Sequence, residues 1–316
     1  MAFAFTFPGQ GSQHIGMGRD LADAFSSARD VFVEIDDALS QHLSKLMWEG
    51  PEGELQLTAN TQPALMAVSL AVVRVLESEA GIAVSRARFV AGHSLGEYSA
   101  LAAAGALSLS DAARMLRVRG RAMQEAVPVG EGAMAALIGM DAAAAAAISE
   151  RASAACDGAV CAPANDNAPG QVVVSGARAA VEHAMQLARD AGARHALLLP
   201  VSAPFHCALM APAARVMRDA LDATALRPPV VALVANVTAA PESEPARIAD
   251  LLVEQVTAMV RWRESVAAMA AAGIEAVYEL GAGKVLSGLA RRISPGLATM
   301  SVGTPGEVEA LAAALG

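Results

Sequence analysis

The 316 residues are 54% hydrophobic and 17% charged, enough apolar material for a large core, which excludes general disorder. A net charge of −9 and an aromatic share of 3% exclude a general nucleic-acid binder, which needs a basic surplus and stacking platforms. Three cysteines (Cys156, Cys161, Cys207) form no CxxC, the opening MAFAFTFPGQG has no signal-peptide pattern, and apolar runs such as Ala64–Val73 are too short to span hydrocarbon about 30 Å thick, so the expectation is a soluble cytoplasmic protein that enters no membrane.

Phe3–Phe7 is a short apolar run closed by Pro8-Gly9, and it reads as a strand leading into a loop. Thr61–Leu76 places apolar residues at helical spacing, with no breaker after Pro63. Arg88–Ala91 reads as a second strand and Leu95–Ala104 as a helix ended by Gly105. Leu109–Ala126 continues as a helix bearing Arg114, Arg117 and Arg121. The loop Gly130-Glu131-Gly132 opens a stretch of different character. Strands at Ala133–Ile138, Gln171–Val174 and His195–Pro200 alternate there with helices over Asp141–Arg151 and Arg178–Ala191. This β-α-β-α-β pattern, residues 128–201, reads as a small α+β insertion. From Pro204 the longer alternation resumes, through Val230–Ala235, Ala246–Thr257, Arg263–Ala272 and Ala276–Leu280. The whole predicts an α/β protein with a mostly parallel sheet and helices on its faces.

The most informative residues are GHSLGEY, 92–98. Gly92-His93-Ser94-Leu95-Gly96 is a G-x-S-x-G lying directly after a predicted strand and directly before a predicted helix. That is the setting of a nucleophile elbow, in which a tight turn lifts a serine hydroxyl above the sheet edge. The helix start beneath supplies free N–H groups and a partial positive charge. The plain alternative is a tight turn with a serine cap. Six histidines could serve as base: His14, His42, His93, His183, His195 and His206. His93 adjoins the serine on a strand and is expected to pack or bond locally, while His183 lies in a helical, solvated pattern. His206 follows a predicted strand in a loop, where α/β proteins place catalytic residues. The residues alone favour His206 over the other five without deciding between them.

GHSLGEY, together with FPGQGSQ (7–13), RGRAMQEAVP (119–128), NAPGQVVVSG (167–176), VSAPFHCALM (201–210) and YELGAGKVLSGL (278–289), closely resembles the bacterial malonyl-CoA:acyl carrier protein transacylases. The blocks fall in one order over nearly the whole chain. The resemblance implies an α/β-hydrolase-like large subdomain with a parallel sheet, residues 1–127 and 202–316, and a small inserted ferredoxin-like subdomain, 128–201. It implies Ser94 as the nucleophile that becomes malonylated, His206 as its general base and acid, and Arg119 as the clamp on the malonyl carboxylate. Gln10 and Leu95 match the pair whose backbone N–H groups form the oxyanion hole. Gln255 matches a residue whose main-chain carbonyl orients the histidine, giving a Ser-His dyad; the following VRW departs from the family's common form. Without the resemblance, Arg119 reads as a solvated helix arginine. Phe205 reads as a wall against a branched acyl group, or as plain packing.

Other motifs fail. Gly9-x-Gly11 has His14 where a dinucleotide fingerprint needs glycine. Gly283-Lys284 has Tyr278 and Val285 where a phosphate-binding loop needs glycine and Ser or Thr. Histidines and cysteines show no metal spacing, so neither metal nor cofactor is expected beyond the coenzyme A thioester substrate. The implied partner is an acidic acyl carrier protein meeting a monomer that is itself acidic. Docking then needs a local basic face, with Arg189, Arg194, Lys284, Arg291 and Arg292 as candidates. Rival readings are a serine thioesterase, a similar transacylase serving a polyketide or malonate-decarboxylase system, and a non-catalytic carrier-binding module.

Overall fold

The computed structural model describes all 316 residues. The chain begins with β1 (Phe3–Phe7), passes through α1 to α4 (Arg19–Ala24, Ser26–Leu39, Leu43–Glu49, Glu52–Gln56) and enters the long α5 (Thr58–Ala80). β2 (Phe89–Gly92), α6 (Gly96–Ala103) and α7 (Leu109–Glu125) follow. The middle of the chain is β3 (Gly132–Ile138), α8 (Ala142–Ala155), β4 (Cys161–Ala168), β5 (Gln171–Ala177), α9 (Arg178–Asp190) and β6 (His195–Leu198). The last part holds α10 (Ala211–Asp222), β7 (Leu233–Val234), β8 (Pro241–Glu242), α11 (Pro245–Gln255) and α12 (Trp262–Ala271). It closes with β9 (Ala276–Leu280), α13 (Val285–Ile293), β10 (Ala298–Val302) and α14 (Pro305–Leu315).

Two sheets result. The larger has the order β10-β9-β1-β2-β7-β8 and is parallel except for β8 at its edge. Its central strands are buried on both faces, as apolar runs without alternation require. Phe3, Phe5, Phe7 and Val90 point into the cluster that surrounds α5. Ala4, Phe89 and Ala91 point the other way, against Trp262 and Val266 of α12 and Leu286 of α13. α5 reaches the length and mean hydropathy of a membrane-crossing helix, against the expectation from its shorter apolar run; 89% of its most apolar window is buried, so it is the core helix of the large subdomain.

The second sheet is antiparallel, in the order β4-β5-β3-β6. With α8 and α9 it makes a β-α-β-β-α-β unit of ferredoxin-like topology. This corrects the β-α-β-α-β reading, which lacked β4. Cys161–Ala168 reads CAPANDNA, with a proline and three polar residues in a row, and its pairing with β5 slips at Pro163/Asn165 and at Asp166/Ala168. The irregular strand faces the large subdomain. Asp166 N–H donates to the Val260 carbonyl at 2.9 Å, and the Arg263 guanidinium meets the Asp166 carboxylate at 2.8 Å.

Candidate active site

The turn after β2 is built by two close approaches. A Cβ on Gly92 would stand 1.9 Å from the Gly96 carbonyl, and one on Gly96 would stand 2.3 Å from the Phe7 carbonyl oxygen, so both positions require glycine. Between them Ser94 adopts φ 53°, a left-handed conformation that non-glycine residues hold only when their surroundings impose it. Asn236, just beyond β7, imposes it. Its Oδ1 accepts the Ser94 N–H at 2.8 Å, and its Nδ2 donates to the Gly92 carbonyl at 2.7 Å. The N–H groups of Leu95 and Gln10 are left without partners inside the protein, and both residues line the same cavity as Ser94.

His206 stands on the loop after β6, also with a positive φ, 58°. Its Nδ1 donates to the Gln255 main-chain oxygen at the end of α11, at 2.8 Å. That bond fixes the tautomer, so Nε2, 2.7 Å from Ser94 Oγ, is the acceptor of the serine proton. Burial and then the nearby Arg119 charge lower the His206 pKa to about 3, against the partial support of the Gln255 carbonyl. The ring is therefore neutral, the state that a base requires.

Arg119 is 1% exposed, which removes the solvated-helix reading. α7 carries it against α5, where Gln62 Oε1 accepts from Nη1 at 2.9 Å. Nη2 donates to Gln255 Oε1 at 2.7 Å and to Ser94 Oγ at 3.1 Å, and the guanidinium lies over the Tyr98 ring at 5.6 Å. Its Nε has no partner. Burial lowers its pKa, while Tyr98 and Glu97 oppose the shift. A buried guanidinium held only by neutral acceptors is a ready receptor for a carboxylate.

The cavity around these groups holds about 390 Å³ and lies between the two subdomains, with Asn165 of β4 and Leu199 after β6 on its wall. His93 also faces it, and its bond is not local: Nε2 donates to Asn167 Oδ1 of β4 at 2.8 Å. Phe205 lines the same space. His14 lies instead on a second cavity beside Lys284 and Glu307, while His195 and the rest of β6 do not line the cavity of Ser94.

The acyl transferase domain family matches residues 4–292. The chain belongs to that family. This acyl transferase is 46% identical over 306 residues to a malonyl CoA-acyl carrier protein transacylase of Bacillus subtilis, covering 97% of this chain and 95% of the relative. An acyl-carrier-protein-S-malonyltransferase from Bartonella henselae superposes with a TM-score of 0.96 at 56% identity, covering 100% and 99% of the two chains. A malonyl-transacylase solved in complex with its holo type II PKS acyl-carrier protein superposes at 0.95 with 41% identity, over 99% and 100%.

Sequence reasoning missed three side chains of the acyl transferase site. Gln62 and Asn236 lie outside the motifs that drew attention, and each acts across the fold. Glu97 stood in plain view within GHSLGEY. It is 1% exposed; Oε1 accepts the Asn236 N–H at 2.6 Å and Oε2 accepts the Gln255 side-chain amide. Burial pushes its carboxyl pKa upward, against those two donors and the Arg119 charge. The available signal was an acid placed one residue into a helix that had to be buried against the sheet.

Proposed function

We propose that this acyl transferase moves a malonyl group from malonyl-CoA to the phosphopantetheine thiol of an acyl carrier protein, through an ester on Ser94. One observation carries the reading: a single hydroxyl, Ser94 Oγ, is met by a neutral histidine at 2.7 Å and by a buried guanidinium at 3.1 Å. In the first half-reaction His206 Nε2 takes the serine proton as Oγ attacks the thioester carbonyl. The tetrahedral oxyanion then faces the Gln10 and Leu95 N–H groups, a kind of contact worth roughly 2.7–4 kcal/mol per donor in comparable sites. As the C–S bond breaks, His206 returns the proton to the departing thiolate. The second half-reaction repeats these steps with the carrier's thiol as nucleophile. Thioesters stand on both sides, so the site has only a barrier to lower.

Arg119 supplies the choice of acyl group. Its fork accepts the free malonyl carboxylate with two charge-assisted bonds, whereas an acetyl group leaves the buried cation without a counter-charge. A plain thioesterase has no use for such a clamp. The carrier is named from the relatives, and the complex with a type II PKS carrier favours a polyketide-type carrier as the second reading. The same proposal takes the enzyme as a cytoplasmic monomer that works without metal or cofactor.

The test separates the halves. Incubated with malonyl-CoA, the protein is expected to gain one malonyl mass, on the peptide containing Ser94, and to pass it to holo carrier protein. Ser94→Ala is expected to abolish both. Release of free malonate in place of transfer would make it a thioesterase, and loading of the Ala variant would remove Ser94 as nucleophile.

A further inference from the structure

The Gln255 side chain is a two-faced group. Its Nε2 points at three acceptors: the Ser94 carbonyl at 3.0 Å, Asn236 Oδ1 at 3.4 Å, and a Glu97 carboxylate oxygen. Its Oε1 points at the Arg119 guanidinium. Turned over, the amide would aim N–H groups at a cation and its oxygen at three acceptors, so the partners on its two sides decide its direction. Both Glu97 oxygens face N–H donors, from Asn236 and Gln255, and neither faces an acceptor to which an O–H could point.

We propose that Glu97 is a positioning residue for malonyl selection: its side-chain oxygens, set by the Asn236 N–H, help to fix the direction of the Gln255 amide, and the amide oxygen in turn holds Arg119 facing Ser94. The arrangement also explains why the acid stands one residue removed from the guanidinium. A carboxylate in direct contact would occupy the fork that the substrate needs. With the amide between them, Nη1 and Nη2 keep neutral partners that a carboxylate can displace. The hold on His206 is separate. It comes from the Gln255 main-chain oxygen, whose place is set by α11 and not by the direction of the side chain.

This inference rests on the proposed malonyl transfer and makes a divided prediction. In Glu97→Gln the side-chain oxygen must face the fixed Asn236 N–H, so its NH2 faces the Gln255 NH2, replaces the nearest of that group's three acceptors with a donor, and pushes the amide out of place. The amide oxygen then no longer holds Arg119 in its place facing Ser94. The malonyl preference, taken as kcat/KM for malonyl-CoA over that for acetyl-CoA, is expected to fall about tenfold or more, with the larger share of the malonyl loss in KM. Gln255→Met, which keeps the main-chain carbonyl and removes the amide, should show the same pattern, and it replaces Glu97→Gln in the assay if that variant does not fold. Equal loss with malonyl and acetyl thioesters, or a fall in kcat alone, overturns the assignment, because it makes Glu97 a brace of the nucleophile turn. An unchanged malonyl preference overturns it as well. Failure of the unmodified enzyme to load malonyl at all would instead remove the functional reading on which the inference stands.

Discussion

The chemistry proposed for His206 needs an uncharged ring, and the site enforces one. Burial and the Arg119 cation lower its pKa from the ordinary 6.5 to about 3. Between those values the unfolded chain binds a proton that the folded protein excludes, so this histidine's contribution to stability is lost as pH falls through that window. Above 6.5 the contribution is complete. Loading of Ser94 from malonyl-CoA is therefore expected to hold its rate from pH 8 down through pH 6, and to fail only under clearly acid conditions. Rapid-quench measurement of malonyl-enzyme formation across pH checks this, and a midpoint near 6.5 would show a ring open to water. At this scale Ser94 was legible because its turn demands local glycines at Gly92 and Gly96, a pattern contained within five residues. Glu97, Asn236 and the Gln255 side chain were not. Their bonds join residues separated by 139, 142 and 158 positions, and no local pattern records such pairings.

The elements were legible in proportion to their regularity. β1, β2 and β9 are buried along their whole length and mostly apolar, and were read within a residue or two of their observed ends. β4 escaped because its polar side chains serve the junction with the large subdomain, where Asn167 meets His93 and Asp166 meets Arg263. The helices that carry the site pack as tightly as the turn. α7 approaches α5 at Gly120, the neighbour of Arg119, where a Cβ would lie 2.6 Å from Ala59 Cα and 2.7 Å from the Thr58 carbonyl oxygen. Alanine in place of glycine normally strengthens a helix by about 1 kcal/mol. Here the contact falls on backbone that has no room to yield, and overpacking of this kind costs roughly 1–3 kcal/mol. Gly120→Ala should therefore lower the melting temperature despite its better helix propensity. It should also weaken malonyl loading, because the helix that must shift carries the clamp. A raised melting temperature with normal loading would show that the two helices separate freely.

For the whole molecule the question is how an acidic protein of net charge −9 receives an acidic carrier. Uniform attraction is excluded, so the approach depends on where the unpaired cations stand. Arg114, Arg178, Arg218, Arg261 and Arg263 are each committed to a carboxylate. Arg291 and Arg292 are held by Thr299, by Gln171 and by the Pro169 carbonyl, contacts that fasten α13 to its surroundings. Arg189 and Arg194 are exposed and form no ion pair; Arg189 only donates to the Ala196 carbonyl at 3.3 Å. Both stand at the start of β6, the edge strand of the small sheet, and the other end of that four-residue strand leads directly into Leu199, Pro200 and Val201 on the cavity wall. A carrier guided by these two arginines would present its thiol arm to the mouth between the subdomains. Reversing both to Glu is expected to slow malonyl transfer to holo carrier protein by about tenfold at low ionic strength, with the difference shrinking as salt is added. Loading of Ser94 from malonyl-CoA should change far less, since the carrier takes no part in that half. Stopped-flow or quench measurement of the two half-reactions separates the cases. Equal slowing of both, or of neither, would remove Arg189 and Arg194 from the docking face and leave Lys284, exposed beside the Gln10 loop, as the remaining one of the five cations first considered.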